Sequence, residues 1–466
     1  MKTVELGTNK AMTTACEQPS HGPITVGSIP YWAAMPEVSP LPEPKKNTWG
    51  FAIPTCIIDT QSAPALVGVE AEQKYMRAFL MAGSADLVVT DFQLNQTYVH
   101  DYLSKILGFD LPQFMVVPSV GLSSLTNHLL SNPQALEGIN EWLSRNNGQI
   151  QLFNVTQNEA KLALALGQPA FTCGDVQSAI EIGSKPGFKK LCLELGLAVP
   201  AGKICSTFTE TQESVSEIME SGKTGFIKAK EGTGGTDLQS NIVFFPLELE
   251  ASGLGLIDYV RGKLDAFGKL LGDEWVVEEM VDGQDGSIHV YIDPFSQPDT
   301  FVLGALTHDN SYVGGYFPYQ TSPIECELIQ KVNTKLVPAL KAKGAIGFHC
   351  FDFKGEYFLE DNVRPGALDF IHQFVTRIAH KHFPGEPYSW YHCHVPNAGL
   401  YNFESIFAHF SQFLQPVSRG CFVAISNPEV LPYGRSIDMT AISVGSDNSV
   451  GEAQAHFYQI SQLLHP

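Results

Sequence analysis

GFIKAKEGTGGTDLQS, residues 225–240, is the stretch on which the reading of this chain turns. Phe226-Ile227-Lys228-Ala229 has the apolar texture of a buried strand end. The segment Glu231 to Thr236 cannot hold regular structure, because Gly232, Gly234 and Gly235 free the backbone to take φ > 0. Asn241 to Phe245 resumes a strand. Strand, glycine turn and returning strand make a flap. The N–H groups of Gly232, Thr233, Gly234, Gly235 and Thr236 are suited to fold over phosphate, and Lys228 enters from the side as a compact charge. No Gly-Lys-Ser/Thr opens a helix here, so this is not a P-loop; no Gly-x-Gly-x-x-Gly precedes one, so it is not a dinucleotide fingerprint. Taken alone the stretch is more simply a surface hairpin, and its neighbours must decide.

The chain of 466 residues is too long for one core and divides into two or three domains. With 44% hydrophobic and 17% charged residues it has the composition of an ordinary globular protein. Its 29 basic and 49 acidic residues give a net charge of −20, which repels nucleic acid and anionic lipid. An anionic substrate therefore needs a local cationic pocket. Nine scattered cysteines without a Cys-x-x-Cys pair read as reduced thiols of a cytoplasmic protein. The first twenty residues are polar and lack the apolar core of a secretory signal, and no apolar run is long enough to span a membrane.

Four regions are expected: a flexible N-terminus (1–21), an α/β domain (22–180), a larger α+β domain (181–395) and a small C-terminal lobe (396–466). In the first domain, helical spacing over Glu70–Met81, Gln96–Leu107 and Asn132–Ser144 alternates with short strands at Trp49–Ile58, Leu87–Thr90, Gln113–Val117 and Leu152–Val155. That alternation predicts a mostly parallel sheet. Thr156-x-x-Glu159 reads as a capping box opening the helix Ala160–Leu166. From Gly183 the texture changes to helices at 186–195, 210–221, 257–271 and 324–343. Strands at 275–280 and 286–292 and a hairpin of 345–353 with 356–362 predict mixed, largely antiparallel sheets with helices on one side. After 395 a helix (403–414), a strand (421–425), a proline-containing loop and a closing helix (451–464) follow.

Several residues have chemical potential. Lys185, in Gly-Ser-Lys-Pro-Gly, sits at a helix start, where the dipole disfavours a cation unless an anion neutralises both. In Trp275 to Val281 an apolar strand runs into Glu278-Glu279-Met280-Val281, a hinge whose backbone groups suit an adenine edge, with Asp285 placed to accept from ribose hydroxyls. The strongest signal is Tyr357-Phe358-Leu359-Glu360-Asp361-Asn362-Val363-Arg364. Glu360 and Asn362 lie two apart on a strand and point the same way, about 7 Å apart. Two oxygen donors on one face suit Mg²⁺, with Asp352 across the hairpin as a third. Arg364, in phase with them, offers a fork for carboxylate or phosphoryl oxygen, or a salt bridge to Glu360. His392-Cys393-His394 lacks a second ligand pair for zinc, and His349 reads as a half-buried histidine. No Ser/His/Asp order and no Gly-x-Ser-x-Gly elbow is present.

In order, Lys185, the flap with Lys228, Glu278–Val281 with Asp285, and Glu360-x-Asn362-x-Arg364 resemble the ATP-grasp superfamily. The stretches YVHDYLSKIL (98–107), LFNVTQNEAKLALALGQPAF (152–171), IGSKPGFKKLCLELGLAVPAG (182–202) and GCFVAISNPEVLPYGRSIDMTAISV (420–444) look like the pheganomycin-type peptide ligases, whose N-terminal domain is a pre-ATP-grasp domain. The resemblance implies that Lys185 and Lys228 contact nucleotide phosphates and that the hinge holds adenine. It also implies ribose on Asp285, Mg²⁺ on Glu360 and Asn362, and Arg364 near the transferred group. Two departures stand out: the ribose position is usually glutamate, and the upstream metal carboxylate usually lies about a dozen positions before the Glu-x-Asn pair. His349 is nearer that spacing than Asp352.

The implied activity is an ATP- and Mg²⁺-dependent carboxylate–amine ligase. The γ-phosphoryl passes to a carboxylate, and an amine, free or carrier-borne, displaces phosphate to form an amide. A phosphotransferase with another acceptor and a non-catalytic nucleotide-binding module are the alternatives. Each close cation–anion contact contributes roughly 4 kcal/mol before desolvation at an effective dielectric of about 20, so Lys185, Lys228, Arg364 and Mg²⁺ suffice to reverse the local potential. The segment 305–323, rich in aromatics and glycine, is expected to be a substrate-facing loop.

Overall fold

The computed structural model describes residues 53–59, 77, 80–118, 124–153, 155–168, 173–230, 241–267, 272–293, 298–308, 311–395, 402–433, 436–445 and 449–464. The N-terminal segment 1–21, the helix expected at 70–81 (apart from its last residues, Leu80 and Met81, and Arg77) and the flap residues Gly232 to Thr236 lie outside them.

The first sheet contains β1 (Thr55–Ile58), β2 (Leu87–Thr90), β3 (Gln113–Val116) and β4 (Gln149–Leu152), all parallel, in the order β3-β2-β1-β4. Continuous apolar runs such as TCII and LVVT fit strands covered on both faces. Ile57 and Val88 enter one hydrophobic core, while Cys56, Ile58, Leu87 and Val89 enter another. Helix α1 (Thr97–Ile106), wound in the wider i→i+5 register, covers the first side. Helices α2 (Leu125–Leu130), α3 (Pro133–Asn146) and α4 (Gln157–Ala165) cover the second. The expected strand at 152–155 is displaced: β4 is Gln149–Leu152, because the Gln-Ile-Gln-Leu segment pairs with β1, and Leu152 ends it. Thr156 and Glu159 form the expected capping box of α4, and Glu159 also accepts from Thr126 Oγ1 at 2.6 Å.

Helices α5 (Val176–Gly183) and α6 (Lys185–Glu194) lead into a second sheet. It is antiparallel, in the order β5-β8-β6-β7, with β5 (Gly202–Cys205), β6 (Gly225–Lys228), β7 (Asn241–Phe244) and β8 (Trp275–Glu279). Helices α7 (Phe208–Glu220) and α9 (Leu256–Phe267), with the short α8 (Pro246–Ser252) between them, enclose a separate core of Val215, Met219, Ile227, Val260, Leu264 and Val277. Lys228 pairs with Asn241, so the flap is framed by two paired strands.

The third sheet has eight antiparallel strands in the order β13-β12-β9-β10-β11-β14-β16-β15. They are β9 (Asp285–Ile292), β10 (Asp299–His308), β11 (Ser311–Phe317), β12 (Gly347–Lys354), β13 (Tyr357–Asn362), β14 (Tyr388–Val395), β15 (Gly420–Ser426) and β16 (Ile437–Val444). Within 305–323, expected to be loop, residues 305–308 and 311–317 are strand: β10 and β11 pair with a bulge at Leu306/Thr307, and Gly304 lets Tyr316 lie flat across it. The helix expected at 324–343 is three pieces, α10 (Pro323–Lys331), a wider turn (Val332–Leu336) and α11 (Val337–Ala342).

Helices cover both faces of this sheet, not one. Ile288, Val290, Ile292, Phe351 and Phe353 pack with α10, α11, α6 and the helices of the first domain. The opposite face packs against α12 (Ala367–His382) and α1. The C-terminal strands β15 and β16 continue the eight-stranded sheet beyond β14, flanked by α13 (Phe403–Phe410) and α14 (Val450–Leu463). Tyr98 of α1 donates to the Ile425 carbonyl at 2.9 Å and packs edge-on against Phe403, tying α1 to β15 and α13. The described cysteines are free thiols. Among the described residues no helix is long and apolar enough to cross a membrane.

Glu159 is fully buried, and its carboxylate serves both Thr126 and the α4 cap. Replacing it with alanine strips a cap and leaves those donors unpaired. Glu159→Ala is expected to cost about 2 kcal/mol of stability, read as a lower urea midpoint.

Candidate functional site

Strand alternation places the site. On β6 and β8, Ile227 and Val277 enter the small core, so Lys228, Val276 and Glu278 emerge on the other side, toward the large sheet. On β12 and β13, Phe351 and Phe358 enter the large core, while Cys350, Asp352, Glu360 and Asn362 face the cleft. Ser184 caps α6 through the Gly187 N–H, and this sets Lys185 at the first helical position and Lys189 one turn later on the same side. The Lys185 N–H donates to the Lys230 carbonyl at 3.1 Å, fixing the helix start against the end of β6.

The three cationic side chains converge. Lys185 Nζ lies 2.7 Å from Glu360 Oε2. Glu278 is held from both sides, by Lys228 Nζ at 2.5 Å and Lys189 Nζ at 2.9 Å. Lys189 also donates to the Pro200 carbonyl at 2.7 Å, and Lys228 to the Leu359 carbonyl at 3.3 Å. Lys185, Lys189, Lys228, Val276 and Glu278 line one narrow pocket together with Phe358 and Leu359. Lys189 was missed in the sequence. Its signal is the i, i+4 spacing from Lys185, a like-charge pair that a helix tolerates only where anions stand opposite.

Asp352 stands directly opposite Glu360 in the β12–β13 register. The turn from Lys354 to Tyr357 is short, and a bulge that leaves Leu359 as an extra residue of β13 brings Glu360 into register with Asp352, so a carboxylate only eight positions upstream faces the Glu-x-Asn pair. His349, the other candidate by spacing, turns to the opposite face, where its Nδ1 lies 2.8 Å from Asp361 Oδ2 and its ring stacks on Phe351. Asn362 Nδ2 donates to Asp352 Oδ2 at 2.9 Å and reaches Glu360 Oε1 at 3.4 Å. Burial and the facing Glu360 push the Asp352 carboxyl well above the usual carboxylate range. Burial also acts to raise Glu360, but Lys185 and Lys228 outweigh it and hold that group at about 2. Two carboxylates thus share one face, and it is Glu360 that makes the ion pair with Lys185. Among the described residues no group of three or more His, Cys, Asp or Glu is arranged to hold a metal, so the donor set here is two carboxylates and an amide.

The hinge follows β8. Glu279 N–H donates to Ala201 O at 2.8 Å and Met280 N–H to Thr224 O at 2.9 Å; the Glu279 carboxylate pairs with Lys223. Val281 is buried. Asp285 opens β9 on the cleft face, where it accepts from Thr307 Oγ1 at 3.0 Å and lies 3.4 Å from Lys354 Nζ. Arg364 does not bridge to Glu360, whose described ion-pair partner is Lys185; its guanidinium lies over the Phe153 ring at 5.7 Å. His392 and His394 gather no metal set either: His392 bonds Thr440 at 2.9 Å and His394 bonds Asp438 at 2.5 Å. One grouping was invisible in chain order. Ser287, His289 and Asp369, from β9 and the first turn of α12, lie in contact, buried on the sheet face that carries Asp352.

No protein-family model matches the chain, and no curated protein matches it in sequence. Solved structures do match in fold. An ADP complex of N5-carboxyaminoimidazole ribonucleotide synthetase aligns with TM-score 0.54 and 13% identity over 88% of this chain and 98% of that one. A biotin carboxylase–nucleotide complex from Campylobacter jejuni aligns with TM-score 0.51 and 15% identity over 87% and 90%. The Aspergillus clavatus N5-carboxyaminoimidazole synthase, in complex with ADP and its aminoimidazole ribonucleotide, gives 0.52 and 9% over 88% and 98%. The parallel first domain, the small four-stranded sheet and the large antiparallel sheet with its C-terminal extension together make the ATP-grasp fold.

Proposed function

We propose that the chain is an ATP-dependent carboxylate–amine ligase, forming an amide or peptide bond through an acyl-phosphate and releasing ADP and phosphate. The observation that carries this reading is the convergence of Lys185, Lys189 and Lys228, from one helix and one strand, on two buried carboxylates, Glu360 of β13 and Glu278 of β8. A surface of this kind inside a protein of net charge −20 has little structural purpose. It fits a triphosphate. The facing Asp352 and Glu360 fit Mg²⁺, since two carboxylates on one face call for a hard cation to bring both to the anionic form. Asn362 joins them once its amide turns to present oxygen.

When bound, ATP supplies the phosphoryl group and Mg²⁺ neutralises its charge. The chain's own residues do the rest. Lys185 and Lys228 exchange their carboxylate partners for phosphate oxygens, and Arg364 steadies the carboxylate that receives the phosphoryl group. Val281 and the hinge carbonyls take the adenine edge, because the Glu279 and Met280 N–H groups already have backbone acceptors. Asp285 is the ribose acceptor, and the glycine flap between β6 and β7 excludes water from the acyl-phosphate. The finer likeness to the pheganomycin-type ligases supports an amino acid or peptide substrate. The free thiols suit a reducing, cytoplasmic setting.

A coupled ADP-release assay against a panel of amino acids tests the reading. Lys228→Ala and Glu360→Ala are expected to lower ADP release about 100-fold or more, since each removes a charge the transition state needs. Wild-type-like turnover in either variant overturns the assignment. Lys189→Met leaves Glu278 with one cation and draws Lys228 away from phosphate. Its KM for ATP is expected to rise about tenfold, with a smaller change in kcat.

A further inference from the structure

We propose that Ser287, His289 and Asp369 form a proton relay for the second half-reaction, Ser287 meeting the amine as it attacks the activated carboxylate. The proposal rests on the ligase reading above and adds to it a group for the incoming amine.

The relay follows from strand alternation. Ile288 and Val290 point into the large core, so Asp285, Ser287 and His289 point to the opposite face, where Ser287 and His289 are buried beside Asp352 and Cys350. Ser287 stands directly across from Asp352, and His289 across from Cys350. His289 Nε2 lies 2.7 Å from Ser287 Oγ, and its Nδ1 lies 2.9 Å from Asp369 Oδ1, somewhat off the straight hydrogen-bond line. The other Asp369 oxygen accepts the Gly366 N–H at 2.5 Å, which anchors the carboxylate at the start of α12. A carboxylate at Nδ1 favours the tautomer with its proton there, and Nε2 is then the acceptor for the serine hydroxyl. The imidazole is locked flat against Phe301, with ring centroids 5.2 Å apart and planes 6° from parallel.

Position relates the relay to the chemistry. The turn Arg364-Pro365-Gly366 passes directly over the imidazole: a methyl group at Gly366 would lie 3.0 Å from His289 Cε1 and from Cys350 Sγ. The relay therefore lies beneath the arginine assigned to the acyl-phosphate and one strand from Asp352. A cleft of lysines and arginine draws anions and repels an ammonium, so the acceptor enters as the neutral amine and has one N–H proton to lose as the amide forms. In the step, nitrogen bonds to the carbonyl carbon and the bond to phosphate breaks, the phosphate leaving with the electron pair. The N–H proton moves to Ser287 Oγ as the hydroxyl proton moves to His289 Nε2. The buried imidazolium, facing Asp369, then returns the proton through Ser287 to the departing phosphate.

Hydroxylamine separates the half-reactions, because it is uncharged near neutral pH and attacks acyl-phosphates without a base. With the acid that supports ADP release, His289→Asn and Ser287→Ala should keep hydroxamate formation within about threefold of wild type. Amide formation with an ammonium-bearing acceptor should fall about 100-fold or more in both. Ser287→Ala removes a single oxygen, and the thermal shift with a non-hydrolysable ATP analogue reports that each variant is folded. If hydroxamate and amide fall together, or if both persist, the relay is wrong and the ligase stands. A wild-type protein that forms hydroxamate with no acid in the panel removes the ligase reading and the relay with it.

Discussion

Glu278 is buried with both carboxylate oxygens committed, one to Lys189 and one to Lys228, where the small sheet meets the first helix of the larger body. Removing either partner of such a buried arrangement leaves a charge that neither water nor protein satisfies, typically a loss of 3–5 kcal/mol. Around it the chain gathers four cations, Lys185, Lys189, Lys228 and Arg364, against the carboxylates of Glu278, Glu360 and Asp352, of which the last resists ionisation. An acidic protein thereby keeps a cationic cleft. The surplus positive charge is available only where helix α6, strand β6 and the β13 turn come together.

Period-two geometry governs everything else in the site. On β6, β8, β9 and β12 each residue given to a hydrophobic core is followed by one given to the other face, and on β13 a bulge resets the phase between Phe358 and Glu360. Asp352 shows how a local irregularity sets which carboxylates face each other. Without the bulge after it, the short β12–β13 hairpin would not hold it opposite Glu360.

The pattern of the sequence revealed much of this and concealed some of it. The Glu-x-Asn-x-Arg strand, the capped helix carrying Lys185, the hinge and the parallel first sheet follow from spacing and texture, signals that are local. The strands β10, β11, β14 and β16 were harder. GGYF and YHCH lack the β-branched runs that announce strands, and their pairing depends on partners far along the chain. Lys189 resembled any helix-surface lysine until α6 was seen to pack against β8. The contact of Ser287 and His289 with Asp369 spans the whole large sheet's wrapping around α12, and no local pattern encodes it.

The three hydrophobic cores are not equivalent. Two of them are each shared between the first domain and the eight-stranded sheet, whereas the third is closed within β5 to β8, α7 and α9. The four-stranded lobe is thus the part that can tilt without prising open apolar packing. Lys185–Glu360 lies wholly outside that lobe, but Lys189–Glu278 crosses its boundary. The same carboxylate that tunes the lysines is therefore a tether across the joint, and any rocking of the lobe is felt first as a change in the distance between those two atoms.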